Sequence, residues 1–393
     1  MNGHRPSPRG TWPGPDEELV LRAAIAEDDR AIAHWDSWLL RNDIDRLSFG
    51  SYRLLPLVYR NLSRLGYDSP VMPKLKGAYR QSWVRNRLLL EATAGVVGGL
   101  AAVGVSTVLI KGLPLALRTY RDVGARSMGD ADVLVRPDHA SEAFSWLSAS
   151  GWTPARGARF DPVRRSSVGL ASRDGLEIDL HWYPIADRPF AAAADPFWEG
   201  ADKLRVGGSD ILAVNPTDQV LLALVQGLTW EKDLPIRWIP DVVLSLRRHR
   251  EELDWARLFD IAGRIGVSTH VGLGLAYLDA TFDDVPIPGE VMPAQRRQAR
   301  PLSERAELWF RLRKGPQYPW GGLPATWFQY RHRMRAAGRR PSLVGFARNK
   351  KQMWQDLEGL TVPRALMGRA RRWTRGVTRS LRAFRHNNGH PPQ

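Results

Sequence analysis

The sequence predicts an α+β protein in which a small mixed β-sheet core is flanked by N-terminal and C-terminal helical regions. Three observations predict it. Apolar residues recur at helical spacing over residues 17–103. Between 104 and 215 the texture changes to short β-branched and alternating runs, without the regular strand–helix alternation of a doubly wound sheet. Helical spacing then returns from 216 to 295.

Residues 1–16 are polar and proline-rich and read as a disordered N-terminus with no apolar core for a signal peptide. "DEELVLRAAIAEDD" opens the helical region with acidic residues in its first turn. "SYRLLPLVYRNLSRLG" and "YRQSWVRNRLLLEATAGVVGGLAAVG" continue it. The apolar stretch 94–110 holds four glycines and falls short of the ~20 residues a spanning helix needs, so it reads as a helix end running into a buried strand. "VSTVLI" (105–110) is that strand, "KGLP" a turn, and "LPLALRTY" a short helix. "DADVLV" (130–135) is a second strand, followed by a helix from Pro137 to about Gly151. Asp174-Gly175 sits between two strand-like runs and signals a hairpin across 167–182. A further strand and a Thr217-capped helix close the core.

The 393 residues contain no cysteine, which removes thiol catalysis, disulfides and Cys-ligated metal centres. The net charge of +16 is uneven: residues 296–393 hold 23 Lys and Arg against 4 Asp and Glu, so the body is near neutral. Any argument from charge to an anionic partner therefore concerns this Arg- and Trp-rich quarter. A candidate helix at 364–385 sets Leu366, Ala370, Trp373, Val377, Leu381 and Phe384 on one face amid dense arginine. It suits an anionic membrane surface, nucleic-acid phosphates, or simple docking on the protein body. The expected location is cytoplasmic, or peripheral to the membrane in the case where that helix lies on an anionic surface.

Side chains two apart on a strand share a face, so Asp130 and Asp132 point the same way, roughly 6–7 Å apart along the chain. In "EIDLHW" Glu177, Asp179 and His181 share one face, and Ile178, Leu180 and Trp182 the other. Alone, an Asp-x-Asp pair reads more simply as the wet face of a sheet. If the two strands are neighbours, however, Asp179 meets Asp130 and Asp132, and three converging carboxylates call for a divalent cation. Hard oxygen ligands select Mg²⁺ or Mn²⁺. Upstream, Lys111 offers a point charge and Gly112 a close backbone approach at a strand–turn–helix junction that suits an anion.

The order of strand, glycine turn, helix, acidic strand, hairpin and third acid resembles the nucleotidyltransferase superfamily, whose fold is that of DNA polymerase β. More narrowly it is similar to a bacterial family of uncharacterised nucleotidyltransferases. The matching residues are "LIKG" (Lys111, Gly112), Arg126, Asp130 with Asp132, and "IDLHW" (Asp179, His181, Trp182). "WDSWLLRNDIDRLSFGSYRLLPLVYRNL" resembles the family's N-terminal helices and "IRWIPDVVLSL" its Trp-x-x-Asp helix, so the resemblance covers about 17–250. Lys-Gly replaces the usual Gly-Gly or Gly-Ser turn, Ala131 a larger spacer, and Gln226-Gly227 a frequent histidine.

The resemblance implies transfer of an NMP from an NTP, ATP first among them, to a hydroxyl acceptor on a small molecule or protein, with pyrophosphate released. It implies Asp130, Asp132 and Asp179 as metal ligands, with Asp179 alternatively the base. Lys111, Gly112, Arg126 and His181 are implied at the nucleotide. His181 reads equally as a buried hydrogen-bonding residue, Trp182 as core, and Asp241 as a cap or ion-pair partner. The alternatives are a catalytically idle binding module of the same fold, and a nucleic-acid- or membrane-binding protein acting through its basic C-terminal region.

Overall fold

The computed structural model describes residues 12–348 apart from 156–157, 164, 187, 189–190, 207, 229–235, 283–284, 298–301, 313–321 and 337. The candidate helix at 364–385 lies outside the described residues. Residues 1–337 form one compact unit and 338–393 a second.

Helices lead the chain: α1 (Pro15–Ile25), α2 (Arg30–Leu39), α3 (Phe49–Tyr52), α4 (Leu55–Arg64) and α5 (Met72–Ala102). The first helix starts at Pro15, inside the stretch expected to be disordered, and Trp12 ahead of it stacks on Tyr277 with ring centroids 4.3 Å apart. The core follows as β1 (Thr107–Ile110), α6 (Gly112–Pro114), a π-helical turn at Leu115–Tyr120, and β2 (Asp130–Val135). Then come α7 (Ala140–Ala149), β3 (Thr153–Pro154), β4 (Ser167–Ala171), β5 (Glu177–His181), α8 (Ala191–Glu199), β6 (Asp202–Val206) and β7 (Ser209–Ala213). The remaining helices are α9 (Pro216–Gly227), α10 (Trp238–Arg248), α11 (Trp255–Ile265), α12 (Ser268–Thr281), α13 (Val291–Arg297), α14 (Leu302–Leu312) and α15 (Gly322–Ala336).

The seven strands form one mixed sheet in the order β3-β4-β5-β2-β1-β7-β6. β1 runs antiparallel to β2, and β2 parallel to β5. β4 and β5 form the hairpin that Asp174-Gly175 signals, with Gly175 at φ +75° in the turn. Strand alternation sorts the apolar residues onto two faces. Leu109, Ala131, Val133, Val135, Ile178, Leu180 and Trp182 pack on one side against α5 and α7. Val108, Ile110 and Leu134 face the other side, towards α1, α4, α9 and α10. The acids of β2 and β5 lie on this second side.

Helix α5 also braces the loop that leads into β2. Asn86 is fully buried and donates to the carbonyls of Val123 and Arg126, while Arg85 donates to that of Gly129. Residues 302–312 and 322–336, read from sequence as part of the basic C-terminal region, fold as α14 and α15 within the first compact unit. There Glu307 pairs with the buried Arg188 at 3.1 Å.

Candidate active site

Parallel pairing sets Asp132 directly beside Asp179, and Asp130 beside Glu177. Antiparallel pairing sets Ile110 opposite Asp132, which delivers Lys111 to the same spot one residue later. Two aspartates abreast on neighbouring strands repel each other unless cations intervene. Here the protein supplies them. Lys111 Nζ lies 2.7 Å from Asp132 Oδ1 and 3.2 Å from His181 Nε2. His181 Nε2 lies 2.9 Å from Asp132 Oδ1 and 3.0 Å from Asp179 Oδ2. Ser167 Oγ donates to Asp179 Oδ2 at 3.3 Å. His181 Nδ1 is buried without a partner among the described residues, where the imidazole's polar contacts run through Nε2.

The charges follow from this packing. Burial opposes ionisation of Asp132, but Lys111 and His181 hold its carboxyl far below the usual carboxylate range. Burial likewise opposes a charged Asp179, and His181 lowers it. Burial and the Lys111 ammonium work against an imidazolium at His181, yet Asp179 and Asp132 raise it to about 9. Lys111 is raised by the same acids in spite of its burial. Asp130 shifts the other way: the protein packed around its carboxyl, then the charges of Asp132 and Asp179, raise it although the residue is open to solvent at the edge of β2.

Ligand atoms of Asp132, Asp179 and His181 all lie within 4.8 Å of one another. Two carboxylates and an imidazole at that spacing fit a divalent cation. This grouping differs from the expected Asp130, Asp132 and Asp179. Asp130 stands at the exposed first position of β2, and the imidazole takes the third place.

The Lys-Gly turn departs from ordinary backbone at Lys111, which has φ +59° and ψ −107°. Such a conformation costs an L-residue about 1–3 kcal/mol. Its N–H donates to Gln219 Oε1 of α9, which fixes the turn, and its ammonium points at the acids. Gly112 packs closely for lack of a side chain: a Cβ there would crowd Met128 Sδ at 3.0 Å and an Arg126 nitrogen at 3.3 Å. The helix after it is three residues long and passes into the π-turn, so it offers little dipole to an anion. Arg126 is buried and gives Nε and Nη2 to the two Asp241 oxygens, each at 2.8 Å. Trp182 is core, its indole N–H donating to the Arg165 carbonyl.

Gln219, Ser167 and Arg237 escaped the sequence reading. The first two carry no motif. Arg237 stands four residues before Asp241 in "IRWIPD", a spacing that puts both on one side of a helix start.

The mixed sheet sets the Asp-x-Asp strand beside a second acidic strand, an arrangement that resembles the nucleotidyltransferase class. Residues 51–283, more than half of the chain, match the model of the family described as uncharacterised nucleotidyltransferase, and the chain belongs to that family. No curated protein matches the sequence. Solved structures that match include a lincomycin-bound lincosamide antibiotic adenylyltransferase, LnuA. That match has 15% identity over 37% of this chain and 89% of the other, with a TM-score of 0.27. Another is an antigenic nucleotidyltransferase-like protein from Paracoccidioides brasiliensis, with 13% identity over 54% of this chain and 94% of the other and a TM-score of 0.33.

Proposed function

We propose that this chain transfers a nucleoside monophosphate from an NTP, ATP first among them, to a hydroxyl acceptor in a divalent-metal-dependent reaction. The observation that carries the reading is the convergence of Asp132, Asp179 and His181 from two adjoining strands, with Asp130 beside them. Asp132, Asp179 and His181 would hold the ion, and Asp130 would add charge at the open edge. A bound Mg²⁺ or Mn²⁺ supplies neutralisation of the triphosphate and polarisation of the phosphorus under attack. A donor set that includes imidazole suits Mn²⁺ as well as Mg²⁺.

In this reading the acceptor oxygen bonds to the α-phosphorus, the α–β bridging bond breaks, and pyrophosphate leaves. The hydroxyl proton passes to a site carboxylate, Asp179 or Asp130, the latter having the raised proton affinity that suits a base. Lys111, released from Asp132, meets the phosphates beside Gly112, and Arg126 shapes the floor beneath that turn. The acceptor is a small molecule or a protein side chain. The protein is incubated with each α-labelled NTP, Mn²⁺ or Mg²⁺ and cell extract. A labelled product that disappears in Asp132→Asn supports the reading, and equal labelling by that variant removes it.

One observation favours a second reading, a catalytically idle module of the same fold. Lys111 already occupies the acids as an internal counter-ion at 2.7 Å. An idle site would bind neither Mn²⁺ nor nucleotide, which separates the two in a direct titration.

A further inference from the structure

Beside the acids lies a group of arginines with too little negative charge to match it. Asp241 is the carboxylate at its centre, and its oxygens are taken: Oδ1 accepts from Arg126 Nε and Tyr120 Oη, and Oδ2 from Arg126 Nη2. Arg237, at the N-cap of α10, has no carboxylate partner among the described residues. Its one described hydrogen bond is from Nη1 to the Ser127 carbonyl. Ser127 lies three residues ahead of Asp130, so this bond tethers Arg237 to the loop that enters β2. Arg126, on the same loop, comes within reach of the Gly112 turn. Arg126 thus lies beside the Gly112 turn, and Arg237 is near enough to Asp130 for its charge to lower that carboxyl.

On balance the described surroundings oppose a bare cation at Arg237, although Asp241 favours it. The start of a helix carries positive partial charge, which opposes a guanidinium there. Burial, then the like charges of Arg126 and Arg53, lower its proton affinity to about 9. A half-buried cation among cations is costly until an anion joins it. A guanidinium's planar fork matches phosphate oxygens in paired hydrogen bonds.

We infer that Arg237 binds the phosphate tail of the nucleotide donor, in a cationic recess completed by Arg126 and the start of α10. The inference rests on the nucleotide-transfer reading above and assigns the opposite end of the substrate from the metal-binding acids. Lys111 then works between the two groups. Arg237 is a binding residue in this assignment, separate from the carboxylates.

Calorimetry on the full chain tests it, with inorganic tripolyphosphate, ATP and adenosine as probes at fixed free Mg²⁺. Arg237→Gln is expected to weaken tripolyphosphate and ATP at least tenfold while leaving adenosine within twofold of the parent protein. Arg237→Lys, a point charge without the fork, is expected to recover part of the loss. Mn²⁺ affinity without phosphate and the unfolding midpoint report separately on the fold and the acids, and both are expected to hold in Arg237→Gln. Unchanged tripolyphosphate affinity in Arg237→Gln overturns the assignment alone. A joint loss of phosphate affinity, Mn²⁺ affinity and stability also overturns it, because Arg237 would then only brace the Ser127 loop. If the parent protein binds neither tripolyphosphate nor ATP, the nucleotide-transfer reading itself falls and takes this one with it.

Discussion

Lys111 carries the most information of any single residue. Its left-handed backbone and its 2.7 Å contact with Asp132 together make it the counter-ion of a site that otherwise repels itself. A metal entering here competes with two protein-borne positive charges, the Lys111 ammonium and the His181 imidazolium. Lys111→Met removes one competitor, so Mn²⁺ affinity is expected to rise while nucleotide transfer falls. Free Mn²⁺ followed by electron paramagnetic resonance, with a parallel labelled-NTP assay, reads both effects. Asp132→Asn is expected to abolish Mn²⁺ binding in the same experiment. His181 adds a pH dependence. Raised from 6.5 to about 9, it must lose a proton to ligate a metal through Nε2. Mn²⁺ affinity should therefore climb between pH 7 and 9, by up to about tenfold per unit for one displaced proton. In the metal-free protein the sign is reversed. The stabilisation from the His181 imidazolium is complete below about 6.5 and is lost as pH rises through about 9, so the unfolding midpoint should fall over that window.

At the scale of elements, the β2–β5 register makes the site and the packing around α10 holds it. A one-residue slip between those strands would turn an acid away from its neighbours, because side chains alternate. The buried pair of Arg126 and Asp241 ties the loop before β2 to α10. Asp241→Asn keeps the shape but leaves a buried guanidinium uncompensated. It is expected to cost about 3–5 kcal/mol in urea denaturation. Helix α9 meets α10 at Gly227, where a Cβ would lie 2.2 Å from the Trp238 ring. Gly227→Ala is expected to destabilise by about 1–3 kcal/mol through overpacking. Because Trp238 adjoins Arg237, that variant should also weaken ATP binding.

Across the whole molecule, residues 1–337 hold every candidate site residue, and the second compact unit begins at Gly338. A chain ending at residue 337 is expected to keep nucleotide transfer within about twofold, since the basic segment beyond it adds long-range charge and no site residue. It should also leave heparin at lower salt than the full chain. Among the described residues no helix is long and apolar enough to cross a membrane. The sequence by itself determined the α+β class, the hairpin at Asp174-Gly175, and the sharing of a face by Asp130 with Asp132 and by Asp179 with His181. These are legible because strand alternation and turn chemistry are local, set by residues adjacent in the chain. Only the tertiary structure decided that His181 displaces Asp130 from the central cluster, that Lys111 turns inward, and that Asp241 claims Arg126 across 115 residues and leaves Arg237 without a carboxylate among the described residues. A charged side chain's partner depends on which segments pack together and which other charges are removed from water with it, and no short stretch of sequence encodes either.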